Sequence, residues 1–181
     1  MSNFNLEEAT SYIKKWLNEF VTQPNPLLNN FPPCPYAQQA ILDNKISYEL
    51  ADKDINLYLI MKAEQWDENI DVCVIFVPSR SKRHNSIGSE MLSSLVKRTN
   101  KNYLMSNDFV ALEDHPDDEE NINGVIMNNG KYPIVLMQRL SKIQMFSGFL
   151  KKKGYYDVWS KENLDDVVNW RQHHEDLVKS E

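Results

Sequence analysis

Two short segments of the chain carry residue types that could do chemistry. In the first, Phe31-Pro32-Pro33-Cys34-Pro35-Tyr36-Ala37, a thiol stands at the expected start of a helix. Unpaired amides and the positive end of a helix dipole stabilise a thiolate, lowering its pKa from a free value near ~8.5. Cys34 is therefore a candidate nucleophile or redox centre, the alternative being a rigid proline corner around a buried thiol. The second segment, Glu113-Asp114-His115-Pro116-Asp117-Asp118-Glu119-Glu120-Asn121, follows an expected strand. A His among carboxylates at a strand end suits general acid-base work, because the sheet fixes its position while the loop leaves it accessible. His115 and Asp117 thus join Cys34 as catalytic candidates, and Asp118 and Asn121 as substrate-binding ones. The spacing fits no calcium loop or zinc pattern, so no metal ligand is assigned; a solvated acidic loop is the alternative.

Further along, Asn128-Asn129-Gly130-Lys131-Tyr132-Pro133 leads into a strand that ends at Gln138-Arg139-Leu140-Ser141. The guanidinium of Arg139 is a planar fork for a carboxylate or phosphate, or for Asp117 or Asp118. Arg80, Lys82, Arg83 and His84 follow the strand 72 to 77. If that strand runs parallel to a neighbour, its C-terminal edge is where open α/β sheets bind ligands, and a basic loop there could grip an anion. Tyr132, Arg139 and Arg80 complete the candidate substrate-binding set. No Gly-rich phosphate loop, nucleophile elbow or H-E-x-x-H helix occurs, so the cofactor is unknown.

These residues need elements to hold them. Asn5 with Glu8 is a capping-box variant, and Leu6, Ala9, Ile13, Trp16, Leu17 and Phe20 share one helical face, predicting a helix over about 6 to 22. Pro24, Pro26, Pro32 and Pro33 make residues 23 to 33 an irregular arm. Pro35 suits the first turn of a second helix. Strands are expected over 45 to 51, 71 to 77, 103 to 112 and 132 to 138. Helices are expected over 54 to 68, around Ile87 to Val96, over 140 to 153 up to Gly154, and from Ser160 onward with Leu164, Val167, Val168, Trp170 and Leu177. The stretch between the last two strands reads as a long acidic, Asn-rich connection.

Strands alternating with helices predict an α/β or α+β layered domain: about four strands in a mixed sheet covered by helices, with helical N- and C-terminal extensions. A chain of 181 residues fits one domain, with helices and arm over 1 to 43, sheet core over 44 to 153 and a helical extension over 154 to 181. The net charge of −6 gives no reason to expect nucleic acid, whose binding rests on clustered Lys and Arg. No stretch approaches the ~20 apolar residues of a membrane span, and no signal-peptide core precedes the first helix. With only two cysteines, Cys34 and the strand residue Cys73, a cytoplasmic protein is expected.

The order of a Trp-bearing first helix, Cys34-Pro35-Tyr36-Ala37, the 72 to 77 strand, His115-Pro116-Asp117-Asp118 with Asn121, and Tyr132-Pro133 ahead of Gln138-Arg139-Leu140-Ser141 resembles a bacterial family classed as domain of unknown function 1415. That family carries an early C-P-F-A motif, an H-P-D segment and a later Y-P-strand-R-E-x-S stretch. This chain departs from it at Tyr36, in its longer proline arm, and at Asn129-Gly130-Lys131, where the family tends to Arg-Ser-Pro. The resemblance implies that Cys34, His115, Asp117, Asp118, Asn121, Tyr132 and Arg139 gather in one place. It implies no reaction.

Three functional readings follow. The first is an enzyme acting on a small anionic substrate, with Cys34 as nucleophile, His115 as base and Arg139 as clamp. The second is a non-catalytic binding or accessory protein that meets a small molecule or a protein partner through the proline arm and exposed Phe31, Tyr36, Tyr155, Tyr156 and Trp159. The third is a metal-dependent hydrolase using His115, Asp117 and Asp118, with His173 or His174 as a further candidate ligand, the two being adjacent on a helix and so pointing apart.

Overall fold

In the computed structural model, which describes residues 4–52, 54–77 and 87–171, four strands make the central sheet. They are β1 (Ile46–Leu50), β2 (Val72–Phe76), β3 (Phe109–Asp114) and β6 (Ile134–Arg139), in the spatial order β1-β2-β6-β3. β1 runs parallel to β2, and β6 runs antiparallel to both β2 and β3, so the sheet is mixed. Every residue of β2 is buried, as a central strand covered on both faces requires.

Side-chain alternation divides the core. Cys73, Ile75, Val135, Met137 and Ala111 face α3 (Ile55–Glu64) and α4 (Ser89–Thr99). Val72, Val74, Phe76 and Ile134 face α1 (Leu6–Trp16) and α2 (Pro35–Leu42), with Ile143 and Phe146 of α5 (Leu140–Lys152) alongside. This is a helix-sheet-helix α/β layering, as the alternation of elements predicts. No helix of the described residues is long and apolar enough to cross a membrane.

The helix boundaries have local causes. Asn5 Oδ1 accepts from Glu8 N at 3.1 Å, Asp54 from Asn56 N at 3.0 Å and Ser160 Oγ from Asn163 N at 3.1 Å. Gly154 closes α5 at φ +81°, a left-handed position that costs a glycine little. Residues 54 to 68, equally apolar as strand or helix, are helical from Ile55 because Asp54 caps them. α1 continues as a π-helical turn over Leu17–Val21, α4 over Asn100–Leu104, and the final α6 (Lys161–Leu164) over Asp165–Asn169.

Three expectations are corrected. The strand expected over 103 to 112 begins only at Phe109: Tyr103 and Leu104 extend the helix and Met105–Asn107 forms a 3-10 turn. Asp108, left-handed at φ 61°, turns the chain, and its carboxylate accepts from Ser141 N at 2.8 Å to cap α5. Second, the acidic connection contains a hairpin, β4 (Asn121–Ile122) paired with β5 (Val125–Ile126). Asn123-Gly124 supplies the two positive φ angles, 50° and 87°, of a type I′ turn.

Third, the aromatics expected on a partner surface pack on one another. Phe31 meets Tyr155 edge-on at 5.4 Å, Tyr155 and Tyr156 both contact Trp159, and Tyr36 lies 4.6 Å from Phe146. The Tyr155 hydroxyl donates to Pro33 O at 2.5 Å, which ties the proline arm to the C-terminal segment. His173, His174, Leu177 and the basic loop with Arg80, Lys82, Arg83 and His84 lie outside the described residues.

Candidate functional site

A cleft of 760 Å³ opens over the α1-α2 face of the sheet. Its floor is apolar, with Ile46, Val72, Val74, Leu112 and Leu136 from four strands. One wall is the end of α1 and its π turn, with Trp16, Leu17 and Val21; π-helical turns widen a helix locally and recur at functional sites. Another wall is the start of α2, and a third is the C-terminal segment with Trp159, Asn163, Val167 and Trp170. Three of the chain's four tryptophans therefore line one cleft.

The rim is acidic. Glu113 and Asp114 come from the end of β3, Asp118, Glu119 and Glu120 from the loop after it, and Glu162 and Asp166 from α6 and its π turn. Against these seven carboxylates the lining carries one Lys, Lys97, and no Arg among the described residues.

Of the expected site residues, Cys34, His115, Asp118 and Asn121 line this cleft. Their chemistry differs from the expectation. Cys34 is the N-cap of α2, yet its side chain caps nothing. Burial pushes its thiol above the ordinary value, the Tyr36 and Ala37 amides and the Arg171 guanidinium only partly offsetting that. The dipole argument is sound in sign but loses to desolvation, so Cys34 is the less reactive, protonated thiol. Arg171 itself is 5% exposed, and no residue pattern marked it in advance.

His115 is sealed, its side chain 1% exposed. The Asp117 amide donates to Nδ1 at 3.0 Å, so Nε2 carries the proton and donates to Ile87 O at 2.7 Å. Both ring nitrogens thus staple a turn, and neither is free to take a proton from a thiol. Asn128 closes the same turn, donating to His115 O at 3.1 Å. Asp117 gives its amide to the staple, while its side chain is exposed and off the cleft.

Tyr132 and Arg139 lie elsewhere. Tyr132 sits edge-on to Tyr12 and Phe76, at 5.5 and 5.8 Å, with Lys131 over its ring. Arg139 stacks 4.2 Å from Phe109 and pairs with Glu68, not with Asp117 or Asp118. Alternation along β6 explains this, since Gln138 faces the cleft and its neighbour must face away. No group of three or more His, Cys, Asp or Glu converges as a ligand set among the described residues.

Two rim acids hold their protons unusually tightly. Burial pushes Asp114 up to about 6, although the Asn129 amide and side chain donate to it. Glu120 is pushed up to about 7, first by desolvation and then by Asp114, Asp118, Asp166 and Glu113. Glu120 as a residue is exposed, so solvent on its open side weakens that repulsion without changing its direction. Both acids keep protons in the folded state that the unfolded chain has already released. Stability contributed by these sites is therefore present at low pH and declines as pH rises through about 4 to 7. Glu49, held below its usual value by Lys62 and Tyr58 against the opposing desolvation, works the other way and loses its contribution in acid. Urea denaturation is expected to give greater stability at about pH 5 than at about pH 8, and the difference should shrink in Glu120→Gln. A profile that rises toward pH 8 would contradict this.

The chain matches no model of a known protein family, no curated protein and no solved structure. The resemblance to the domain of unknown function 1415 family accordingly rests on its short motifs alone.

Proposed function

We propose that this protein binds a small organic molecule in the cleft over the α1-α2 face and does not use Cys34 for catalysis. The carrying observation is the cleft itself: 760 Å³ with an apolar floor and three tryptophans, within the ~300–1,000 Å³ common for ligand pockets. The thiol enzyme is disfavoured because Cys34 is held protonated and His115 has no free nitrogen. An anionic substrate is disfavoured because Arg139 is engaged on the far side of β6 and the rim is carboxylate-rich. One observation favours a second reading, in which Glu120 transfers a proton. Its carboxyl at about 7 is suited to acid-base work near neutrality.

A neutral environment-sensitive dye such as Nile red tests the binding reading. It is expected to bind saturably, one per chain, and to quench tryptophan emission. Leu136→Trp, which adds bulk to the half-buried floor, should weaken binding about tenfold or more, whereas Leu42→Trp at an exposed helix end should not. Non-saturable binding, or equal binding by both variants, would remove the proposal.

A further inference from the structure

The chemistry of the lining narrows the occupant, and this step rests on the binding reading above. We infer that the ligand is an organic cation: an ammonium group carried on an apolar body that ends in an uncharged hydrogen-bonding group. Three independent features of the cleft converge on that description.

The first lies in the floor. Gln138 is 7% exposed, and its amide has no hydrogen-bond partner among the described residues. It pairs across the sheet with Val72 and Val110, which offer no side-chain polar atom. Tyr36, also 7% exposed, brings a hydroxyl without a partner among the described residues to the same cleft. Neither is sealed from solvent, since among the described residues the buried polar side-chain atoms without a partner are the indole nitrogens of Trp66 and Trp159; both groups therefore stay open to the cleft, free to meet a ligand's polar atoms. Both can donate and accept, which suits a carbonyl, amide or hydroxyl.

The second is aromatic. Trp16, Trp159 and Trp170 line the walls, and indole faces are the strongest side-chain attractors of cations. Lysines elsewhere stand over Tyr48, Trp66 and Tyr12, yet no Lys or Arg stands over these three among the described residues. Trp16 stacks one face on Phe20 and Trp159 packs against Tyr155 and Tyr156, so the cation from outside meets the cleft-facing sides of these rings and of Trp170.

The third is charge. Even with Asp114 and Glu120 partly protonated near neutrality, Glu113, Asp118, Glu119, Glu162 and Asp166 against Lys97 make the rim repel an anion and attract an ammonium. The buried Arg171 acts on Cys34 at the α2 end, so the negative potential is strongest toward the acidic loop. The ammonium is thereby directed to that loop, with the neutral group reaching down to Gln138.

The experiment displaces Nile red with octyltrimethylammonium, octanol and octanoate, each below its self-association concentration, at low salt. The cation is expected to compete about tenfold more strongly than octanol and about a hundredfold more strongly than octanoate. The preference should shrink about threefold or more at high salt and in the double variant Asp118→Asn with Glu120→Gln. Adding a terminal carboxamide to the octyl chain should strengthen binding about fivefold in the native protein and not in Gln138→Leu, a variant expected to fold because it removes an unpaired amide. Equal competition by all three, preference for octanoate, or no competition while the dye still binds would overturn the cation and leave the binding reading standing. A carboxamide effect that persists in Gln138→Leu would overturn the role of the floor amide. Failure of the dye itself to bind would remove both.

Discussion

Asn100→Leu is expected to lower the unfolding free energy by about 3–4 kcal/mol, because it strands two buried backbone groups at once. β3 is an edge strand, and Ala111 turns its N–H and C=O away from β6. Asn100, 1% exposed, takes the place of a neighbouring strand there: its Oδ1 accepts from Ala111 N at 2.8 Å and its Nδ2 donates to Ala111 O at 2.7 Å. Leu matches the side chain in size but pairs with neither group, so both amide dipoles stay desolvated. For a chain of this length the change corresponds to a fall in Tm of roughly 10 °C. Urea denaturation measures it directly, with Asn100→Asp, which retains the acceptor, expected to lose less. A loss under about 1 kcal/mol would mean that water reaches the edge of β3 and that the strand needs no cap.

Asn129→Ala is expected to cost about 3 kcal/mol and to unsettle the rim of the cleft. Asn129 is 4% exposed and ties four backbone or side-chain groups together. Its Oδ1 accepts from Lys131 N and Tyr132 N at 3.0 and 2.8 Å, and its Nδ2 donates to Asp114 Oδ2 and Tyr132 O at 3.1 and 2.8 Å. The substitution removes the Asx turn that leads into β6 and also takes a donor from the carboxylate of Asp114. Asp114, already pushed up to about 6 by burial, should then titrate higher still, which carboxyl NMR resolves separately from the loss of stability. If Asp114 titrates unchanged in the variant, Asn129 is a turn residue alone. If stability is unchanged, the turn is held by Pro133 and the packing of Tyr132 instead.

Both side chains belong to motifs or segments that look unremarkable in one dimension. Asn128-Asn129-Gly130 reads as a polar turn, which it is, but the partner of Asn129 lies fifteen residues earlier on another strand. Asn100 stands just ahead of the residues 103 to 112 that read as a strand, and it lies in a helical turn from which it reaches Ala111, eleven residues on. Local periodicity could not register that bond. The hairpin from Asn121 to Ile126 did carry a local signal, the Asn123-Gly124 dipeptide, but its strands are two residues long and their apolar members, Ile122 and Val125, are buried because Leu28 of the proline arm, Phe20, Val158 and Trp159 pack on them.

The same contrast holds for chemistry. Residue types and spacing alone marked the Cys34 corner and the acidic His115 turn, and the helix-strand alternation with its caps defined the layered mixed sheet. Those features depend on neighbours within a turn or a pleat, so one dimension carries them. The protonation of Cys34, the sealing of His115 between Asp117 and Ile87, the diversion of Arg139 to Glu68 and the union of three tryptophans with Gln138 in one cleft were decided by tertiary structure. Desolvation and hydrogen-bond partnership are set by atoms distant in the chain, and a side chain's reactivity is the balance of those two quantities.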